Sequence, residues 1–338
     1  MILEKEKKVD INSITGYYNS FEKNTPIKVV NKSSFDTPVN FKQAKSKPIH
    51  RWFTYKEGFS PLFVKDFITR FQTAESKVVF DPFGGIGTTV LESSLLGFNT
   101  YSNDVNPLSN YISEIKNTFY NIDDLKHIKN ILNNFNSVKF SNKAIPPENK
   151  TVLNYFEEET LHLILQMQNW ISKIDSNKTL NLFNLALLTN LEKISTHRKD
   201  GNGVKKKRKY APINTENELK RIITEKVSEF IDDINVECKR ATTKIYYQSS
   251  FETYSIKEKA DLVITSPPYA NCFDYSKVYL IELWFGGFFK RKEDQKRFRE
   301  NSIISHVHYK WTPRHPKYGH ALVENEIFNY RVTHLGRN

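Results

Sequence analysis

The sequence predicts an α/β fold, and three observations predict it. Short runs of strand length recur at Val78-Val79-Phe80, Phe98–Ser102, Lys244–Tyr247 and Leu262-Val263-Ile264, the first and last of them wholly apolar. The first of these ends in a glycine-rich turn that leads straight into a helical pattern, Thr88-Thr89-Val90-Leu91-Glu92. Between the second and third strands the chain reads as a series of helices. At 338 residues it can bury a sizeable core, and one domain plus an insertion is the expected organisation.

Residues 1–47 are polar, rich in Lys, Asn and Ser, and without sustained periodicity, so they read as an irregular N-terminal extension. Ser60-Pro61 then looks like a helix start with proline at the first position, and Leu62, Phe63, Phe67 and Phe71 follow at helical spacing. That helix either packs on the sheet edge or forms part of a site. The first strand ends in Asp81-Pro82-Phe83, and Gly84, Gly85 and Gly87 turn the chain into the helix that opens at Thr88. Such a turn presents free backbone N–H groups and a helix N-terminus to any ligand above it. Glycine suits it because a Cβ would block close approach and positive φ. No Gly-Lys-Ser/Thr follows, which excludes a nucleotide phosphate loop, and Val90 stands where a GxGxxG fingerprint needs its third glycine.

The second strand runs out into Asn103-Asp104-Val105-Asn106-Pro107. A carboxylate there can accept hydrogen bonds from both hydroxyls of a ribose, so Asp104 is the candidate, with Asn106 beside it. The other role open to Asp104 is capping the helix that begins near Pro107, and one residue can do both. Helices are expected at Asp123–Phe135, Glu157–Ile174, Leu180–Ile194 and Glu216–Cys238. The third strand leads to Gln248-Ser249-Ser250, and the fourth to Thr265-Ser266-Pro267-Pro268-Tyr269. An aromatic-rich helix, Tyr275–Phe285, and a second basic run, 290–299, come next. Ile303–Tyr309 is the one convincing strand-like run in the remainder.

The formal charge of +12 suggests a polyanionic partner, although Lys- and Asn-rich composition can also follow from genome base content. Distribution favours the partner. Residues 197–210 hold Arg198, Lys199, Lys205, Lys206, Lys207, Arg208 and Lys209 against Asp200 alone, a net +6 that is half the chain's excess. Gly201 and Gly203 make this a flexible cationic loop, suited to a phosphate backbone or else merely solvated. Cys238 and Cys272 form no CxxC, and the five C-terminal His match no metal spacing, so no metal site is expected. No signal peptide or membrane-length apolar run is present, which places the protein in the cytoplasm.

With DPFGGIGTT at 81–89 and SPPY at 266–269, the chain resembles the S-adenosylmethionine-dependent DNA amino-methyltransferases. That family carries a glycine-rich cofactor loop after strand 1 and a (Ser/Asp/Asn)-Pro-Pro-(Tyr/Phe) motif after strand 4. The resemblance implies a Rossmann-like class I methyltransferase sheet with a helical region inserted between strands 2 and 3. It divides the chain into the 1–47 extension, a cofactor-binding part at 48–117, the insertion at 118–235, a catalytic part at 236–290 and a basic tail at 291–338. It assigns S-adenosylmethionine to Asp81, Pro82, Phe83, Gly84, Gly85, Gly87, Thr88, Asp104 and Asn106. An aromatic segment matched by Tyr55, Lys56, Gly58, Phe59 and Ser60 closes over the methionine end. Ser250 stands where the family often has an Asp for the adenine amino group. Ser266 and the Pro267 carbonyl would accept both N–H bonds of a target amine, with Pro268 stiffening the turn and Tyr269 stacking an extruded base.

Serine at the first motif position implies cytosine N4. The other outcomes carried are adenine N6, guanine N2 in RNA, or a truncated protein that binds without turnover. Cys272 lies past the motif without a Pro-Cys pair, which argues against a cysteine nucleophile. Double-stranded DNA with base flipping is the expected partner, in a restriction–modification system with a cognate endonuclease. Seven strands belong to the family's sheet and few follow SPPY here, so the sheet is expected to be incomplete, the chain truncated or split, with a second polypeptide completing it.

Overall fold

The computed structural model describes residues 44–56, 58, 60–201, 203–236, 245–248 (backbone), 259–267 and 273–302, with Gly16, Asn19 and Ser20. All elements below lie in one compact unit, Thr37–Ser305. A 3₁₀ turn at His50–Trp52 precedes α1 (Pro61–Phe71), which starts as the sequence predicts: the Ser60 hydroxyl accepts from Leu62 N, and Pro61 occupies the first turn. The end of the expected irregular extension joins the core through Ala44, which is buried with Ile49, Trp52 and Phe53 that follow it.

Strand β1 (Val78–Asp81) is buried throughout and leads through the glycine turn to α2 (Thr88–Leu95), then β2 (Asn99–Asn103) and α3 (Pro107–Asn117). There follow α4 (Ile122–Phe135), α5 (Lys150–Leu153), α6 (Glu158–Ile171), α7 (Asn177–Ile194), a hairpin of β3 (His197–Asp200) and β4 (Gly203–Lys206), and α8 (Glu216–Val236). β5 (Ile245–Gln248), β6 (Leu262–Val263), α9 (Tyr275–Val278), α10 (Leu280–Phe285) and α11 (Lys292–Asn301) complete the described elements. None of the described helices is long and apolar enough to cross a membrane.

β5, β2, β1 and β6 form one parallel sheet in that order. The chain thus works outward from β1 to β2 and β5, then returns to place β6 on the other side of β1. Neighbouring connections leave in opposite directions between β1 and β6, which opens a crevice at their carboxyl ends. The intervening helices build the larger core, in which Phe135, Phe183, Leu187 and Phe230 are fully buried. Asp233 of α8 ties that core to the 3₁₀ turn: it accepts from Ile49 N (2.8 Å), Trp52 Nε1 (3.0 Å) and both Arg51 Nε and Nη2.

Three expectations of local structure differ from what forms. The cationic loop is an antiparallel hairpin, His197 pairing with Lys206 and Asp200 with Gly203 around a turn in which Gly201 takes φ 51°. The helix over 275–285 is two short helices broken at Tyr279 (φ −103°, ψ 25°), a residue held by tertiary contacts described below. The basic run at 290–299 is largely α11, docked by buried Phe298 and by Arg299, which bonds Asp274 (3.0 Å) and Ser276 (2.8 Å). Ile303–Tyr309 lies outside the described residues.

Candidate active site

The glycine turn owes its composition mostly to the chain itself. A Cβ on Gly84 would sit 2.0 Å from Ser102 Oγ of β2. One on Gly87 would meet Ser113 of α3, at 2.0 Å from Oγ and 2.9 Å from Cβ, with φ at 79° besides. These two glycines let the turn nest against β2 and α3. Gly85 differs: a Cβ there would make only ordinary contact, 3.5 Å from the Tyr55 ring, and it is φ, at 50°, that favours glycine. Thr88 opens α2 and is buried; Pro82 and Phe83 are half-buried at the mouth of the turn.

Two carboxylates flank this turn. Asp81 is fully buried, its Oδ1 accepting from Phe83 N at 3.0 Å. Burial raises its pKa to about 6, opposed by the nearby Thr89 hydroxyl, the Phe83 N–H and the Thr265 hydroxyl. Neither those hydroxyls nor Oδ2 makes a hydrogen bond of normal geometry. Asp104 is half-buried and spans the turn: Oδ2 accepts from Gly85 N (2.8 Å) and Oδ1 from Asn106 N (2.7 Å). Burial also raises its pKa to about 6, with the two N–H donors opposing and the Asp81 charge adding. Helix capping falls to Asn106 and not to Asp104, because the Asn106 Oδ1 accepts from Leu108 N. Each Asp104 oxygen thus accepts one backbone N–H and retains a further lone pair. Asn110 was not anticipated; its amide donates to Asp104 O (2.9 Å), while its buried Oδ1 and the buried Asn106 Nδ2 have no partner.

Tyr55 is buried beside Gly85, with its hydroxyl 3.1 Å from Ser109 Oγ. Its ring stacks on Tyr279 (centroids 5.0 Å, 9°) and lies near-parallel to Tyr275 (5.8 Å, 18°). Tyr279 in turn accepts from Lys56 N through its hydroxyl (2.6 Å). Burial pushes both the Tyr55 and Tyr279 phenols well above their usual range. The i, i+4 tyrosines of the aromatic-rich run carried a signal for this wall, but its partner could only be found in three dimensions.

The second motif emerges next to the first. β6 pairs parallel with β1, and Ile264 N donates to Phe80 O (3.0 Å), so Thr265-Ser266-Pro267 leaves the same edge of the sheet as Asp81-Pro82-Phe83. Thr265 faces Asp81; Ser266 is half-buried and Pro267 exposed. Phe59, Ser250, Pro268 and Tyr269 lie outside the described residues.

The basic hairpin separates into two sets. Lys199 points inward: its ammonium bonds Glu282 of α10 and lies 3.5 Å from Glu192 of α7. Lys207 donates to the carbonyls of Glu192 (2.8 Å), Lys193 (2.9 Å) and Ser195 (2.7 Å), closing the C-terminus of α7. The sequence groups both with phosphate-gripping residues; their ammonium groups are instead committed within the chain. Arg198, Lys205, Lys206, Arg208 and Lys209 are exposed, with Arg198 and Lys205 near Asp200 at 3.5 and 3.6 Å.

Comparison with known proteins agrees with the motifs. The chain is 31% identical over 299 residues to the type II methyltransferase M.BsoBI of Geobacillus stearothermophilus, covering 78% of this chain and 56% of that protein. It is 28% identical over 278 residues to the type II methyltransferase M.AvaI of Nostoc sp. (72% and 55%) and over 245 residues to M.MvaI of Kocuria varians (66% and 53%). No family model and no solved structure matches. By sequence the chain is a homologue of the type II methyltransferases, and it spans about half the length of the curated relatives it matches.

Proposed function

We propose that the chain carries the cofactor and catalytic loops of a site-specific DNA methyltransferase of a restriction–modification system, acting on an exocyclic base amine, cytosine N4. One observation carries the reading: Asp81–Gly85 and Thr265–Pro267 leave adjacent parallel strands at the point where the sheet's connections diverge. On this reading the sheet is of the Rossmann-like methyltransferase type, and the helices and hairpin between β2 and β5 are its insertion.

The residues present fit S-adenosylmethionine. Buried atoms without partners, Asp81 Oδ2, Asn106 Nδ2 and Asn110 Oδ1, surround a turn rich in N–H groups. When bound, that cofactor supplies an electrophilic methyl group on a sulfonium. Asp104 would accept from the ribose hydroxyls, Gly85, Gly87 and Thr88 would line the turn, and Tyr55, with Phe59, would wall it. Ser250 would take the adenine amine. Ser266 and the Pro267 carbonyl would accept the two N–H bonds of the target amine, so that its nitrogen becomes more tetrahedral and its lone pair is aimed rather than delocalised. Such catalysis rests on orientation and polarisation. Tyr269 would stack the extruded base, worth about 1–3 kcal/mol against an extrusion cost of a few kcal/mol. Arg198, Lys205, Lys206, Arg208 and Lys209 would meet phosphates, supplying affinity without reading sequence.

Mass analysis of nucleosides from duplex DNA incubated with the protein and S-adenosylmethionine tests this reading. N4-methylcytosine is expected. N6-methyladenine would correct the base, and methylation of tRNA with none of DNA would overturn the substrate class.

A further inference from the structure

Two features have no part in that reading: the inward-facing Lys199–Glu282 ion pair, and Tyr275 and Tyr279, which lie near-parallel to Tyr55. They are joined. Lys199 sits 4.5 Å over the Tyr279 ring, Tyr279 stacks on Tyr55, and Tyr55 reaches the glycine turn at Gly85. The side chains of Lys199 and Glu282 are only 8% and 2% exposed. A buried ion pair is weak evidence for stability, because apolar residues of like volume commonly serve as well; it is better evidence for holding a group in one place. A cavity of ≈ 330 Å³, lined in part by Phe53, Glu192, Lys199 and Glu282, adjoins the pair. The Lys199 ammonium is thus held by the two carboxylates over the Tyr279 ring, with the Phe53 ring 5.4 Å away. Arg198, next along the strand, and its cross-strand partner Lys205 face solvent, as alternation along a strand requires, while Val204 lies opposite Lys199.

We propose that Lys199 is a positioning residue for the cofactor: clamped by Glu282 and Glu192, it holds Tyr279 and hence Tyr55 against the glycine turn, and so couples the β3–β4 hairpin to cofactor binding. The proposal rests on the methyltransferase reading for the identity of the ligand. Coupling of this kind is reciprocal: duplex engaged by the hairpin tightens the cofactor site, and cofactor tightens the hairpin's hold on duplex.

The test is calorimetric binding of S-adenosylhomocysteine to the full chain, with and without a mixed-sequence DNA duplex. In the wild type, DNA should raise the affinity. Lys199→Met should weaken binding about tenfold and abolish the effect of DNA, within the usual range for coupled sites. Because that variant leaves Glu282 buried and unpaired, the double variant Lys199→Met/Glu282→Gln, which buries no charge, should keep the wild-type melting temperature and show the same losses. Lys199→Arg, which keeps a cation on the ring, should restore both. A double variant that melts and binds as the wild type does, or that still responds to DNA, overturns the proposal, as does a wild type indifferent to DNA. A wild type that binds no S-adenosylhomocysteine overturns the cofactor reading along with it, whereas tight wild-type binding with unaltered variants overturns the coupling alone.

Discussion

The glycine turn and the basic hairpin both stand out in the sequence by composition, and they differ in how far composition reports their work. At the turn, a missing side chain answers one need, room for β2 and α3 to approach, with positive φ at Gly87 besides, and the structure keeps the described motif residues at one small site. In the hairpin, charge was the signal, and charge does not say which way a side chain faces. Lys199 and Lys207 spend their ammonium groups on Glu282 and on the end of α7, while Arg208 and Lys209 remain exposed. The destination of a long flexible cation is decided by what packs beside it.

The comparison breaks most visibly if the turn tolerates side chains. Gly87→Ala places a Cβ against Ser113 Oγ and Cβ at positive φ, and should cost about 2–4 kcal/mol in urea denaturation. Gly84→Ala should cost less, because only the rotatable Ser102 hydroxyl must move. Equal losses would show that positive φ and the Ser113 contact are immaterial.

A smaller effect comes from Asp81. Its folded-state pKa of about 6 lies above the ordinary carboxylate value, so between roughly pH 4 and 6 the folded protein holds a proton that the unfolded chain releases. Stability from this group is full below about pH 4 and is lost as pH rises through 6. Asp81→Asn should flatten that slope and, at pH 7.5, stabilise the ligand-free protein by about 1–3 kcal/mol, read from denaturant melts at pH 4.5 and 7.5. No gain at pH 7.5 would mean that the buried carboxylate is satisfied without a ligand.

The smallest effects separate the two sets of hairpin cations. Lys207→Met should lower stability by about 1 kcal/mol and leave the salt dependence of DNA binding unchanged. Arg208→Ala or Lys209→Ala should leave stability within about 0.5 kcal/mol, yet reduce the slope of log affinity against log salt by about 1 each. The reverse pattern would put Lys207 on DNA.

Much of the fold was legible as well. Ser60-Pro61 specifies a helix start on its own, and β1 and β6 lie in apolar runs ended by turn residues. The hairpin had its own signal, since Gly201-Asn202 is a two-residue turn pair, but the lysines around it hid the strand alternation. The break at Tyr279 had none. No glycine or proline marks it; Tyr279 is held there by the hydrogen bond from Lys56 N and by stacking on Tyr55. Asp104 and Asn106 were hard to tell apart because both are good caps; the helix took the asparagine and left the carboxylate to bridge the turn. Which side chains surround Asp81 was beyond reach, since Thr265 arrives from a strand nearly two hundred residues away in sequence.

Helix α2 runs from the glycine turn with Thr88 through Ser94 all buried, walled by α1, α3, β1 and β2. Its Glu92 is bound from beside it by Lys47 and His50, the imidazole driven down to about 4 by burial and so neutral at physiological pH. A rod enclosed on every flank has nowhere to lean. Whatever small molecule settles at its leading end must therefore match the receptacle as it already stands, and discrimination among candidates falls to shape at the rim, not to yielding of the floor.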